Sequence, residues 1–363
     1  MIINQITPMN SQTLRAIKQL LIILTLSMTG FTAMGSASSD SVPSWWKFVP
    51  NFHGTFRSFY EYSTDDDQSR FYVADARLTL GGYILPWADY FMQVNFNSQG
   101  KISILDAFGR FYPTVDKSLA LYIGQMRVPI NYAACENPWE YHFAQVMLTE
   151  KLASLRSVGV KAGWTVPGST LYFEGGVFNA SDMADHHTWN RAMTYAIKTN
   201  WRGGGFWPEL AFMSRTPGGY GAGARTNTID ASLEFKSGPW FAEAEYLYSH
   251  YTHSSHKAAQ AYGIMGAYTF EPQWRVVNRW SVEGRFDGIT DASNGLFNAQ
   301  HELQTTIFSH RRVTVGTTLG YHTPKGLLVD FRVNYVHCFY SDKEAPALSE
   351  DKSKIVAGAI FHF

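Results

Sequence analysis

From Phe52 to the C-terminus, apolar and polar residues alternate with a period of two over segments of roughly 10 to 14 residues, the signature of half-exposed β-strands. The pattern predicts about sixteen strands, near 52–63, 69–83, 89–98, 102–112, 118–127, 156–166, 169–178, 191–202, 207–215, 227–236, 239–251, 258–270, 274–286, 302–322, 326–340 and 353–363. The count carries a margin of two, chiefly because 287–322 has room for an extra strand. Short connections at 85–88, 166–168, 236–239, 271–273 and 323–326 alternate with longer polar stretches at about 128–156, 179–190, 216–226, 252–258, 287–301 and 341–352. Short turns on one rim and long loops on the other are the plan of a membrane barrel, and an even strand number returns both termini to one side.

The faces of the strands carry the argument further. In 274–286, Arg275, Arg279, Ser281, Glu283 and Arg285 share one face, opposite Val276, Trp280, Val282 and Phe286. In 326–340, Asp330, Arg332 and Asn334 alternate with Val329, Phe331, Val333 and Tyr335. In 69–83, Asp75, Arg77 and Thr79 alternate with Ala74, Ala76, Leu78 and Leu80. A charge facing lipid at the bilayer midplane costs about 2–4 kcal/mol, so these polar faces must point inward. A soluble sandwich would hide the apolar faces in a core, but sandwiches rarely run to so many uniform strands. The predicted fold class is therefore all-β: a transmembrane antiparallel β-barrel of about sixteen strands, with no linker and no second domain. Its inward faces hold about twelve basic and twelve acidic side chains. Such a balanced wall is first of all a salt-bridge network that orients its own members and holds water.

Composition agrees with this picture. Aromatic residues make up 15% of the chain, with 11 Trp, 20 Tyr and 25 Phe, and charged residues only 17%. That is too aromatic for disorder and suits Trp and Tyr girdles at the two membrane interfaces. At the N-terminus, Arg15 and Lys18 precede an apolar run from Leu20 to about Met28 and small residues through Gly35-Ser36-Ala37. This is the layout of a secretory signal peptide over 1–37, leaving 38–363 as the barrel domain. The apolar run falls short of the ~20 residues that an anchor helix needs, and no later stretch reaches that length. Without Arg15 and Lys18, 28 basic side chains face 30 acidic ones, so no charge bias points to nucleic acid.

The last strand, Ser353 to Phe363, places Ile355, Ala357, Ala359, Phe361 and Phe363 on one apolar face. It resembles the C-terminal signal of outer-membrane proteins, which implies a Gram-negative outer membrane, contact with its lipids and recognition by the barrel insertion machinery. Between 71 and 178 there is a denser succession of motifs: Ala76-Arg77-Leu78, Asp106-Ala107-Phe108, Gly124-Gln125-Met126-Arg127-Val128-Pro129, Arg156-Ser157-Val158-Gly159-Val160 and Val177-Phe178-Asn179. Their order and spacing resemble the phosphate-selective porin O and P family, and Glu283-Gly284-Arg285-Phe286-Asp287 resembles a later strand of it. The resemblance implies a homotrimeric, sixteen-stranded channel whose third outer loop, here 128–156, folds inward and narrows the pore. The function it implies is passive diffusion of small hydrophilic solutes, anions such as phosphate among them. Arg77, Arg127, Arg156, Arg279 and Arg285 would supply an arginine ladder, with Asp106 and Lys151 as further pore-lining groups, since guanidinium binds phosphate through paired hydrogen bonds. The family's lysine cluster has no counterpart, for only Arg215 and Arg225 stand at the 216–226 loop. That absence argues for a broader range of solutes than phosphate alone.

Three other constellations bear on function. Cys135 and Cys338 are either a disulfide pinning the third loop or two free thiols. His186 and His187 beside Asp182 and Asp185, and His250, His253 and His256, are metal-ligand types without a closed spacing motif, so no metal or cofactor is expected. An outer-membrane lipase or protease would need a nucleophile with a positioned base, and no motif brings Ser and His together. A structural or adhesive surface barrel would carry longer, repetitive loops. These two classes remain the alternatives to a channel.

Overall fold

The computed structural model describes residues 50–96, 102–180, 189, 192–218, 221–341 and 351–363. The leader expected over 1–37 and the Asp182–His187 group lie outside them. The described residues form sixteen antiparallel strands: β1 (Asn51–Ser63), β2 (Gln68–Leu85), β3 (Ala88–Phe96), β4 (Ile102–Phe111), β5 (Leu119–Arg127), β6 (Arg156–Thr165), β7 (Tyr172–Asn179), β8 (Met193–Asn200), β9 (Phe206–Arg215), β10 (Thr226–Ser237), β11 (Trp240–Tyr251), β12 (Ala259–Phe270), β13 (Arg279–Ile289), β14 (His310–His322), β15 (Leu328–Tyr340) and β16 (Lys354–His362). Each strand pairs with the next, and β16 returns to β1 to close the barrel. Closure satisfies every ladder edge, which an apolar surrounding demands.

Alternation sorts the side chains as the sequence predicts. Ile123, Ile197, Ile264, Val282, Val315 and Phe331 face outward and are exposed. Trp87, Trp164, Trp201, Trp240 and Tyr321 stand exposed near the rim of short turns, forming an aromatic girdle. Arg57, Asp75, Glu174, Glu283, Arg312 and Arg332 point inward and are buried.

Four local features depart from the predicted pattern. A register shift opposite Arg57 and Ser58 changes the parity of β2, so that Asp75 faces Arg57 while Tyr72 faces Phe59. Tyr72 therefore points inward with Asp75, and its hydroxyl donates to Glu61 Oε1 at 3.1 Å. β13 begins only at Arg279, which leaves Arg275 in an exposed turn and off the lumen face. β14 begins at His310 rather than near 302, because Leu303 and Ile307 turn into a loop cluster with Ala224, Tyr251, Ala259 and Ala292. Finally, the middle of β16 is apolar on both faces, between Lys354, which pairs with Glu61, and His362, which bonds Thr55. Ile355 and Phe361 face outward, whereas Val356 and Ile360 are buried inside against Phe59, Leu328 and Ala144.

Ala144 belongs to the segment between β5 and β6, residues 128–155, which carries two short helical turns, α1 (Tyr132–Cys135) and α2 (Thr149–Leu152). This third loop folds back against inward-facing residues of the wall and covers part of the lumen.

Candidate functional site

Asn131, at the start of the third loop, adopts a left-handed conformation with φ 64°, which asparagine tolerates better than most residues. Its side-chain oxygen accepts from the Ala134 N–H at 2.7 Å and caps α1, while its own N–H donates to Asp230 Oδ2 at 2.9 Å. The Tyr132 and Ala133 N–H groups both donate to Glu245 Oε1, and the Thr149 hydroxyl donates to Glu245 Oε2. The Tyr132 hydroxyl donates to Glu234. Carboxylates of β10 and β11 thus take up the donors of α1 and the start of α2.

The middle of the loop is held by arginines. Four consecutive carbonyls each receive one guanidinium: Phe143 from Arg332 at 3.0 Å, Ala144 from Arg57 at 2.6 Å, Gln145 from Arg285 at 2.7 Å and Val146 from Arg312 at 2.7 Å. The four arginines come from β15, β1, β13 and β14, so an extended stretch of loop lies across the strands that flank the closure. In the reverse sense, the Ala144 N–H donates to Asn334 Oδ1 at 2.8 Å and the Leu148 N–H to Asp287 Oδ2 at 3.0 Å. Charge-assisted bonds of this kind are roughly twice as strong as neutral ones. Met147 presses onto β12, where a Cβ on Gly263 would meet its sulfur.

On the wall not covered by this clamp, Arg77 of β2, Arg127 of β5 and Arg156 of β6 come together. Arg127 and Arg156 are direct cross-strand partners. Arg156 Nε lies 3.2 Å from Asp106 Oδ1, and Arg77 Nη2 lies 2.6 Å from Asp75 Oδ1. Glu150 of α2 faces this trio. Burial pushes its carboxyl up, and Arg127, Arg77 and Arg156 oppose that rise by favouring the charged form. Glu136 differs: burial and the neighbouring Glu234 and Glu140 push it up to about 8, with only Lys236 pulling it back. His142 is lowered by burial despite Glu283 at 3.8 Å, so it is neutral at pH 7, stacked on Phe241.

The balance of inward charge therefore conceals a segregation. β2 to β6 present Arg77, Arg110, Arg127, Arg156 and Lys161 against Asp75, Asp89 and Asp106. β10 and β11 present Asp230, Glu234, Glu243 and Glu245 with Lys236 as their base.

Of the residues singled out from sequence, Arg77, Asp106, Arg127 and Arg156 form one group. Arg285 lies elsewhere, beneath the loop, with its guanidinium over Phe143 at 4.7 Å and Asp287 at 3.5 Å. Lys151 gives its ammonium to Asp351, which also pairs with His310 Nε2 at 3.0 Å, and so ties α2 to the segment before β16. Arg279 stands near the rim of short turns, its Nη1 3.5 Å from His322 Nδ1. The clamp roles of Arg57, Arg312 and Arg332 escaped the sequence, although alternation had put all three inside; nothing in a period of two says which inward side chain will meet a loop. Asp89, which pairs with Arg110 at 2.7 Å, was missed because it begins a strand beside a turn. Cys135 and Cys338 are free thiols, and the Cys135 sulfur lies 3.5 Å from the Ile130 carbonyl. His253 bonds Ser255 Oγ at 2.7 Å, and among the described residues no group of three or more His, Cys, Asp and Glu side chains is placed to hold a metal.

No family model matches the chain, and no curated sequence matches it. Solved structures do match its fold. The barrel is similar to Salmonella typhi OmpF, solved with daunomycin, at a TM-score of 0.61 and 11% identity over 86% of this chain and 97% of that one. It is similar to an anion-selective porin from Comamonas acidovorans at 0.60 and 10% identity, covering 87% and 99% of the two chains. It is also similar to OmpT, an outer-membrane protein of Vibrio cholerae in its trimer form, at 0.54 and 10% identity, covering 87% and 98%. The shared fold is that of Gram-negative outer-membrane barrels, and the apolar exterior is the surface such a membrane requires.

Proposed function

We propose that this chain is an outer-membrane channel for passive diffusion of small hydrophilic solutes, with a preference for small anions. The observation that carries the reading is the third loop clamped across one side of a polar lumen, with Arg77, Arg127 and Arg156 gathered on the other. A loop fixed at both ends and along four carbonyls narrows a passage without closing it, and the arginines line what is left. Guanidinium groups favour anions, phosphate among them, but each of these arginines also has a nearby acidic residue, so the preference is graded rather than strict. The chain acts as a transporter rather than an enzyme. In this reading it assembles as a homotrimer, as the OmpT trimer form does with the same fold, and Phe363 ends the strand that the barrel insertion machinery would recognise.

The test is swelling of proteoliposomes that contain the refolded protein in isotonic sugars of graded size. Swelling should be fast with pentoses and slow with trisaccharides. Rates equal to those of protein-free liposomes for every sugar would refute the channel.

A further inference from the structure

Between the end of the third loop, the outer ends of β9 to β11 and the segment joining β13 to β14 lies a cavity of about 430 Å³. That volume is within the range of small-molecule sites, roughly 300–1,000 Å³. Its lining differs from the acidic wall of β10 and β11 in charge: among the described residues it includes Lys151 and Arg215 and no carboxylate. It differs in polarity too, because Leu152, Met213, Leu296 and Ile307 give it an apolar side. Leu296 is 40% exposed, so the cavity is open to solvent.

We propose that this cavity is a docking subsite for small organic carboxylates with an apolar body, lying above the arginine trio on the solute's path. The proposal rests on the channel reading for its place in transport, though not for the binding itself. Lys151 gives its ammonium to Asp351, and the group we assign to the carboxylate is Arg215, which lines the cavity. A guanidinium offers five N–H donors in a planar fork, enough to bind a carboxylate in bidentate fashion alongside other partners. The hydrocarbon body then lies on Met213 and the leucine and isoleucine side chains, where burying it is favourable. Inorganic phosphate fits less well, since half of the lining would desolvate it without returning hydrogen bonds.

The experiment is fluorine NMR of 4-fluorobenzoate with the detergent-solubilised protein, using 4-fluorobenzyl alcohol as the neutral counterpart and phosphate as competitor. The wild type should broaden the benzoate line. Arg215→Gln should weaken binding about tenfold, in line with loss of a charged hydrogen bond. Leu296→Asn, at an exposed side chain of the lining, should weaken it as well, and phosphate should compete poorly. Equal broadening by the wild type and both variants, or equal broadening of the alcohol, would overturn the subsite. Because the readout needs no current, a chain that binds benzoate yet does not conduct refutes the channel and keeps the cavity.

Discussion

Arginine does two different jobs on this wall, and its neighbours decide which. Arg57, Arg285, Arg312 and Arg332 spend their donors on four consecutive loop carbonyls, whereas Arg77 and Arg156 pair with the wall carboxylates Asp75 and Asp106, and Arg127 beside Arg156 reaches the Glu136 carbonyl at 3.5 Å. Replacing the trio together with glutamine should move the reversal potential in a KCl gradient toward cation selectivity, because three positive charges are lost while Asp75 and Asp106 stay in place. An unchanged reversal potential would contradict the assignment. Glu136 adds a pH dependence. Its carboxyl, pushed up to about 8 by burial and by Glu234, is neutral below that pH and charged above it. Raising the pH from about 6 to about 9 therefore adds a negative charge to the third loop, and anion preference should fall over that interval. Glu136→Gln should flatten the change, and a variant that keeps the full shift would show the titrating group to be another. At this scale the sequence was only partly readable. Alternation put most of the inward side chains inside, though not Tyr72, and it misplaced Arg275; Arg77 and Arg285 look alike along the chain, and only the path of the loop separates lining from clamp.

The third loop is the element on which the site depends, and Asp287 is its keystone. It accepts from Arg312 and from the Leu148 N–H and lies beside Arg285. Asp287→Ala would leave two buried guanidinium groups without their counter-ion, a change of the kind that costs about 3–5 kcal/mol. The variant should unfold at a lower temperature and show faster current fluctuations as the loop loosens. Wild-type behaviour in both measurements would mean that the clamp does not hold the loop. The strands were legible because a period of two is imposed by the pleat and by the two solvents on either side of it. Where an apolar run meets protein instead of lipid, that logic fails. Val356 and Ile360 look like a strand with no lumen face, yet they pack inside against Ala144, and Leu303 and Ile307 look like part of β14, yet they line a loop cluster.

At the scale of the whole molecule, two solvents meet across one layer of backbone. The outward positions tolerate no charge near the midplane: Ile264→Arg on β12 should reduce folding into lipid vesicles by about 2–4 kcal/mol. Insertion as efficient as that of the wild type would mean that this face does not meet lipid. The inward charges add up to near balance but are divided, bases toward β2 to β6 and acids toward β10 and β11, which no count along the sequence could reveal. The proposal that the barrel is open rather than a sealed scaffold has its most direct measurement in the current carried by the refolded protein in a planar lipid bilayer. The account predicts stepwise increases of current as single barrels or trimers insert, with a modest anion preference near neutral pH. A bilayer that takes up the folded protein and stays electrically silent would contradict it.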